Sequence, residues 1–471
     1  MNMIKPINPW RIFALVSIAV FLVSLDATIG FAVFPALRMA FPLDTASGLS
    51  WVLTAYTIVY AALLVPAGRL ADLLGRKRLF MVGVGVFTLA SGLCGVAPNL
   101  ETLIAFRVLQ AIGAALLTPT SLALILQAFP EGKRAVAVSL WGAVGALAAA
   151  IGPSVGALII ENTSWHWAFL VNVPVGIVAL LRARVSLQES SNPHTGRSFD
   201  APGILLLIAG SALLTLGIVQ SDAWGWAEPK TGASIIAGLL ILLAFIFWAK
   251  DRPHAAVDLS LFQDRNYSIV NVATLIFGAA FTAMFLCFFL FTTLIWGYGL
   301  AKAGLSITPG PLLVIPVAVI SGRYAARHGH RNLLIAGGLV YALSGLWFYF
   351  AAAATADYLS AWLPGLLISG VGVGMVLPSL SGAAVSNLAA SRFGVGSAVN
   401  AAVRQFGSAL GVAFTVAIVG GNLHGIAQFK YVFLFIAAGG LLTSLLALPL
   451  SRRSKKIVPA APGEAVESTA V

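Results

Sequence analysis

One acidic residue of this sequence lies deep inside a long apolar stretch. Asp26 stands within the apolar run 12–37, and it is the only carboxylate placed deep in any predicted membrane span. A charge near the centre of a bilayer costs at least about 2.5 kcal/mol, so such a residue is interpreted as functional by default. Its chemistry would be reversible protonation, and the same carboxylate is a natural partner for a lipophilic cation. The structural alternative is a permanently protonated acid that is hydrogen-bonded to a neighbouring helix.

Two arginines also fall inside apolar spans. Counted at about 1.5 Å per residue from the ends of the predicted helices, Arg107 lies at a depth similar to that of Asp26. We therefore expect Arg107 to act with Asp26 in proton coupling and to offset the burial of its charged form. The alternative is a structural arginine that binds backbone carbonyls between helices. Arg404 is similarly ambiguous.

An aromatic-rich stretch follows in the second half of the chain. Phe281, Phe285, Phe288 and Phe289 recur at the spacing of one helical face. Such a face suits planar hydrophobic ligands through stacking and cation–π contact. The alternative is a packing or lipid-facing surface. The residues that we expect to line a substrate cavity are Asp26, Gln110, Phe281, Phe285, Asn400, Arg404 and Gln405.

The composition indicates that the segments carrying these residues lie in a membrane. The chain is 59% hydrophobic and only 9% charged, and its mean hydropathy is +0.95, which excludes an ordinary soluble protein. The net charge of +12 does not indicate nucleic acid, because the charges are gathered in short loops. The six histidines show no metal-ligand spacing, and no phosphate-binding GxxxxGK[ST] loop is present. We expect no enzyme activity, no metal and no cofactor.

Apolar runs of about 20 residues predict fourteen membrane-spanning helices. They cover approximately 12–37, 48–68, 79–97, 101–126, 135–160, 165–182, 201–221, 232–249, 267–296, 304–322, 332–353, 359–387, 394–420 and 430–450. When the loops are assigned to alternate sides, 22 of the 28 Lys and Arg residues fall on one side, four fall on the other, and Arg107 and Arg404 lie within spans. This separation predicts that both termini are cytosolic.

Two similar basic turns divide the chain into halves. GRLADLLGRKR at Gly68–Arg78 and GRYAARHGHR at Gly322–Arg331 each lie between two apolar spans, as expected for duplicated bundles. Gly68 and Gly75 would allow a tight turn and close helix approach. Asp72 and Arg76 complete a motif whose expected role is conformational, and the second copy has Ala326 in place of the acid. The alternative is an ordinary positive cytosolic loop.

A small-residue motif marks the fifth predicted helix. Pro153 removes a backbone donor and bends a helix, whereas Gly152 and Gly156 leave a smooth face for close packing. We expect this bend to favour exchange between inward-open and outward-open states. Ordinary small-residue packing is the alternative.

Several of these segments resemble signatures of the major facilitator superfamily. They are the turn at Gly68–Arg78, RVLQAIGAA at Arg107–Ala115, AAAIGPSVGA at Ala148–Ala157, LDATIGFAVFPAL at Leu25–Leu37, SWHWAFLVNVPVG at Ser164–Gly176 and NAAVRQFGSALG at Asn400–Gly411. In combination they are similar to the fourteen-helix drug:proton antiporter branch. The fold that the resemblance implies is an all-α polytopic membrane protein, with two six-helix bundles and an inserted two-helix hairpin.

The expected domains follow from this resemblance. They are 1–185 for the first bundle, 186–265 for a loop and the hairpin, 266–451 for the second bundle, and 452–471 for a disordered cytosolic tail. The hairpin holds no embedded charge, so we expect it to be peripheral to the cavity.

The resemblance implies a proton-coupled efflux antiporter. We expect a monomer in the bacterial inner (plasma) membrane that exports hydrophobic, cationic drugs or toxic compounds in exchange for protons, with no nucleic-acid partner. One alternative is export of a lipid, a neutral natural product or an anionic metabolite. A second is a membrane receptor or scaffold that does not transport.

Overall fold

The fold is seen in a computed structural model. It describes residues 8–190, 200–250, 252, 255–388, 392–419 and 425–450. The predicted tail 452–471 lies outside the described residues.

Sixteen α-helices make up most of this described part, which contains no β-strand. They are α1 (Pro9–Ala40), α2 (Ala46–Leu74), α3 (Arg76–Cys94), α4 (Leu100–Ala128), α5 (Glu131–Asn162), α6 (Trp167–Leu170), α7 (Asn172–Ser186), α8 (Ala201–Trp224), α9 (Pro229–Lys250), α10 (Arg265–Leu290), α11 (Leu300–Ile307), α12 (Pro309–His328), α13 (Arg331–Ala351), α14 (Leu363–Val385), α15 (Phe393–Val419) and α16 (Ile426–Ala447). A 3₁₀ helix (Leu259–Gln263) precedes α10, and single π-helical turns follow α10 (Phe291–Ile295) and precede α14 (Tyr358–Trp362).

The prediction of a fourteen-helix membrane protein is confirmed. Thirteen spans in the described residues are long and apolar enough to cross a bilayer, and α5, bent by 40°, supplies the fourteenth. Two predicted helices are interrupted. The span predicted at 165–182 is divided into α6 and α7, because Pro174 lacks the N–H that would bond the Leu170 carbonyl. Pro309 at the start of α12 separates α11 from α12 for the same reason.

The helices group into two bundles that meet along a few lines of contact. In the first half α1 packs on α4 and α5, and α4 also packs on α2 and α3. In the second half α10 packs on α15 and α16, α13 on α14 and α16, and α12 on α14. The bundles meet where α2 contacts α15, where α5 contacts α11, and where α1 contacts α10.

The inserted hairpin lies at the edge of this assembly. Helices α8 and α9 pack on each other, and α8 also contacts α2 and α15. In its most apolar stretch, only 17% of α9 is buried within the protein, compared with 83% of the corresponding stretch of the span that contains α10. Between Lys230 and Lys250 at its two ends, the exposed residues of α9 are apolar, as expected for a helix that faces lipid. The domain limits themselves stay predictions.

One carboxylate fastens the base of the hairpin. Asp200 caps α8 by accepting the Gly203 N–H at 3.0 Å. It also accepts the indole N–H of Trp248 in α9 at 2.9 Å and the backbone N–H of Ala256, in the loop before α10, at 2.8 Å. A single side chain thus joins both helices of the hairpin to the chain that leads into the second bundle.

We expect Asp200→Ala to lower the free energy of unfolding by about 1–2 kcal/mol, because a helix cap and two further hydrogen bonds are lost. Asp200→Asn is the matched control, since Asn caps helices about as well as Asp, and its loss should be clearly smaller. Thermal unfolding of the purified protein measures both. Equal stability of Asp200→Ala and the wild type would contradict the anchoring role.

Candidate functional site

A buried ion pair lies at the centre of the first bundle. The Nη1 of Arg107 in α4 donates to the Oδ2 of Asp26 in α1 at 2.6 Å. The two side chains are only 1% and 2% exposed. Sequence analysis left open whether these residues meet, and the structure brings them into direct contact.

Arg107 makes two further hydrogen bonds. Its Nε donates to the Val52 carbonyl oxygen at 3.0 Å, and its Nη1 donates to the Oε1 of Gln110 at 2.5 Å. The guanidinium carbon lies 4.1 Å from the centroid of the Tyr56 ring, which is cation–π geometry. A buried charge is tolerated only when it is paired and hydrogen-bonded, and Arg107 meets both conditions.

Two amides complete the surroundings of Asp26. The Nε2 of Gln110 donates to the Oδ1 of Asp26 at 2.9 Å, and the Nδ2 of Asn172 in α7 donates to the same oxygen at 3.2 Å. Gln110 Nε2 also donates to the Ser91 hydroxyl oxygen in α3 at 2.8 Å. The carboxylate therefore accepts three N–H groups, from Arg107, Gln110 and Asn172.

The neighbourhood of this network contains unused polar atoms. Among the described residues, the Oδ1 of Asn172 and the hydroxyl of Tyr56 are buried without a hydrogen-bond partner. The Asn172 amide therefore donates to Asp26 through Nδ2, while its Oδ1 remains able to accept a hydrogen bond. Asn172 was not predicted as a site residue, although a polar amide inside an apolar span was a visible signal for it.

A cavity lies between the two bundles. Its described lining consists of Thr28, Ala149, Phe281, Met284, Phe285, Phe288, Ile307, Gly310, Pro311, Val314, Leu366, Ser369, Gly370, Val373 and Leu377. Phe281 and Phe285, which the sequence predicts for a substrate cavity, line this cavity; its role as the substrate site stays a prediction. Asp26 and Gln110 do not, because their side chains are buried between helices of the first bundle.

The aromatic side chains of α10 both line the cavity and pack against neighbouring helices. Phe285 lies parallel to Phe31 of α1, with ring centroids 5.7 Å apart. Phe288 lies on the cavity and also packs against Trp362 at 5.1 Å. Phe289 is fully buried, so none of these three rings faces lipid.

The polar residues predicted in α15 lie away from this cavity. Asn400 is buried, and its Nδ2 donates to the Asn271 side-chain oxygen at 3.1 Å and to the Thr274 hydroxyl at 2.9 Å, which joins α15 to α10. Arg404 is half-buried and lies close enough to Tyr60 of α2 to interact electrostatically. Gln405 is half-buried on the same helix. These residues line the helix contacts and are not part of the described cavity lining.

The motif in α5 lies against α1. A side chain at Gly152 would collide with the Thr28 hydroxyl, and one at Gly156 would press on Ile29. Pro153 immediately follows the bend of 40° in α5. This helix therefore curves while it remains in close contact with the helix that carries Asp26.

The first basic turn is held by an acid from a distant part of the chain. Gly75 adopts φ 106°, a left-handed conformation that favours glycine. Gly68 lies close to Pro119 of α4, and Arg76 donates its backbone N–H to the Ser190 carbonyl at 2.9 Å. The Asp72 side chain lies outside the described residues.

The acid that holds the turn is Glu189, in the segment after α7. Its carboxylate accepts the backbone N–H groups of Lys77 at 3.1 Å and of Arg78 at 3.0 Å. It thereby binds the N-terminus of α3, where negative charge is favoured. Sequence analysis missed Glu189, because nothing in the local pattern relates it to a turn more than a hundred residues earlier.

Comparisons with known proteins agree with this arrangement. The profile of the Major Facilitator Superfamily matches residues 16–412. An uncharacterized major facilitator-type transporter of Mycobacterium tuberculosis is 33% identical over 88% of this chain and 70% of its own length. A cephamycin export protein of Amycolatopsis lactamdurans is 34% identical over 86% of this chain and 84% of its own length.

Further similarities are more distant. A tetracenomycin C resistance and export protein of Streptomyces glaucescens is 29% identical over 86% of this chain and 75% of its own length. Among solved structures, the inward-open xylose transporter of E. coli gives a TM-score of 0.67 at 14% identity, over 95% of this chain and 98% of that one. That likeness shows the fold alone.

We expect Arg107→Met to lower the free energy of unfolding by about 3–5 kcal/mol, because it leaves the Asp26 carboxylate buried without its cation. The double variant Asp26→Asn/Arg107→Met removes both charges and should recover much of this loss. Thermal unfolding of the four proteins of this cycle gives the coupling. Strictly additive losses would show that the two residues do not stabilise each other.

Proposed function

Because the chain belongs to the major facilitator superfamily, we propose that it exports hydrophobic small molecules in exchange for protons by alternating access. It is an integral membrane protein and a transporter rather than an enzyme. The observation that carries the proposal is the buried Asp26–Arg107 pair, since an ionisable pair inside a membrane bundle marks a proton or substrate pathway. The direction of transport is supported by relatives that are named export or resistance proteins.

In the proposed proton step Asp26 is the group that binds and releases the proton. In its ionised form it accepts N–H groups from Arg107, Gln110 and Asn172. A proton on either carboxyl oxygen removes the negative charge and displaces one of these donors. Rotation of the Asn172 amide would then present its unused Oδ1 to the new O–H group, while Arg107 keeps the Val52 carbonyl.

Protonation is thereby linked to helix packing. Arg107 joins α4 to α1 through Asp26 and to α2 through Val52. Loss of the negative charge weakens the first link and leaves a buried guanidinium that favours a different packing of α1 against α4. The bent α5, packed on α1 through Gly152 and Gly156, would transmit this change towards the second bundle.

The proposed closed end of the pathway is formed by α5 and α11. The Ser154 hydroxyl donates to the Gly304 carbonyl oxygen at 3.1 Å and contacts the Thr308 hydroxyl. The Glu161 carboxylate accepts the backbone N–H of Ala301 at the start of α11. Opening on this side requires all of these contacts between the bundles to separate.

The orientation belongs to the same proposal. With the basic loops on the cytosolic side, the contacts of α5 with α11 lie on the outer side, and the turn held by Glu189 lies on the cytosolic side. The proposed location is the bacterial inner membrane, with both termini cytosolic and a monomeric transport unit. The turn at Gly68, Asp72, Gly75 and Arg76 would then stabilise one of the two conformations.

We expect Asp26→Asn to abolish export driven by a pH gradient, because the amide cannot carry a proton. Substrate binding without a gradient should remain, since Asp26 does not line the described cavity. Everted vesicles assayed with tetracenomycin C, the compound that one of the relatives is named for exporting, measure the export. Asp44→Asn, in the loop after α1, is the control and should export normally. Undiminished gradient-driven export by Asp26→Asn would refute the coupling role.

We expect Glu161→Gln to favour the outward-open state, because an amide is a weaker partner than a carboxylate for the N-terminus of α11. A shift of about 1 kcal/mol would raise the open population about fivefold. The measurement is the rate at which an impermeant maleimide labels Ser369→Cys from outside, in a Cys94→Ser/Cys287→Ser background. Glu101→Gln, at the exposed start of α4, should leave the rate unchanged. An unchanged rate in Glu161→Gln would contradict the closing role.

A further inference from the structure

Among the described residues, the cavity between the bundles is lined by no charged side chain, and from this we infer that the transported substrates are uncharged compounds with aromatic or other apolar rings. The inference rests on the proposed function, in which this cavity holds the substrate. All fifteen described residues that line it are apolar side chains, glycines or hydroxyl residues. A charged ligand would lose its hydration there without gaining an opposite charge.

The carboxylate expected to bind cations is directed away from the cavity. Thr28 lines the cavity, and Asp26 precedes it by two residues on α1. At 3.6 residues per turn, their side chains leave the helix about 200° apart. Asp26 accordingly points to α4 and α7, where both of its oxygens accept N–H groups. In this conformation a cation in the cavity cannot reach it.

The two arginines of the spans are equally unavailable to an anion. The Arg107 guanidinium is bound to Asp26, Gln110 and the Val52 carbonyl. Arg404 belongs to α15, and no residue of that helix is in the described lining. The absence of an available charge therefore argues against anionic cargo as well as cationic cargo.

The hydroxyl groups of the lining do not replace a charge. The Thr28 hydroxyl donates within its own helix to the Leu25 carbonyl oxygen at 3.2 Å. The Ser369 hydroxyl donates to the Leu366 carbonyl oxygen at 2.7 Å. Each hydroxyl hydrogen is thus already used, and what remains for a ligand is a weak acceptor.

The aromatic rings favour apolar contact over cation–π binding. One face of Phe285 is covered by Phe31, with ring planes 15° apart. Phe281 meets Phe285 edge to face, with centroids 5.0 Å apart, and lies nearly parallel to Phe277. Much of the negative ring surface that attracts a cation is therefore covered, whereas the remaining edges and the aliphatic lining suit another ring.

The test compares compounds of one shape and different charge. The uncharged probe is para-methylbiphenyl. Its cationic isostere carries a positively charged pyridinium nitrogen in place of the ring carbon that bears the methyl group, and biphenyl carboxylate is the anion. Saturable binding of each radiolabelled compound to the full chain in lipid nanodiscs is measured without a proton gradient. Protein-free nanodiscs correct for partition into lipid.

We expect the uncharged compound to bind at least about tenfold more tightly than either ion, a difference that corresponds to about 1.4 kcal/mol. A pyridinium compound or carboxylate that binds as tightly as para-methylbiphenyl would overturn the inference. So would a lack of saturable binding by the uncharged compound.

A matched pair of variants places the effect in this cavity. Val314→Asp adds a carboxylate to the lining and should shift the preference towards the pyridinium compound by at least about tenfold. Val314→Asn has nearly the same shape without the charge and should keep the wild-type preference. If both variants keep it, the compounds bind elsewhere and the inference is wrong. Should Val314→Asp fail to fold, the wild-type comparison decides alone.

Failure of the two proposals would look different. Loss of proton-driven export with this binding preference intact would refute proton coupling and leave the cargo class standing. Gradient-driven export of the pyridinium compound, abolished by Asp26→Asn, would refute the cargo class and leave the coupling standing.

Discussion

The salt bridge between Asp26 and Arg107 is the interaction on which the first bundle depends. Neither charge is exposed, and each would be costly in an apolar bundle without the other. The pair is supported by Gln110 and Asn172, which donate to the second carboxylate oxygen of Asp26. The Val52 carbonyl accepts a further N–H of Arg107. Five helices, α1, α2, α3, α4 and α7, supply this network through side chains or backbone, so its charge state bears on how they all pack.

The network and the cavity lie on opposite faces of α1. Asp26 faces the interior of the first bundle, and Thr28 faces the cavity. Under the proposed function, proton binding and substrate binding act on one another through the position of α1, without direct competition for one carboxylate. The close packing of Gly152 and Gly156 on α1 gives this helix a rigid connection to α5. Helix α5, in turn, makes the contacts with α11 that join the bundles.

Other polar groups hold the frame in place. Glu189 secures the first basic turn to the segment that leaves α7, and Asp200 secures the hairpin to the segment that enters α10. In the described residues the hairpin contributes nothing to the cavity lining. These carboxylates bind backbone N–H groups at helix ends, where they compensate for donors that the helices leave unpaired.

The sequence by itself determined the class of protein, the number of spans and the exceptional character of Asp26. These properties follow from hydropathy, from the distribution of Lys and Arg, and from the cost of a buried charge, all of which are local or additive along the chain. Depth counting also predicted that Arg107 lies near Asp26, because helical rise is constant.

Only the tertiary structure decided which face each side chain occupies. Asn172 joins Asp26, Glu189 holds the basic turn, and Asn400 binds α10, because helices distant in sequence pack at particular rotations. Hydropathy fixes the length of a span and leaves its rotation about its own axis undetermined. That rotation is set by packing against neighbouring helices, and it places Asp26 on the face of α1 opposite the cavity.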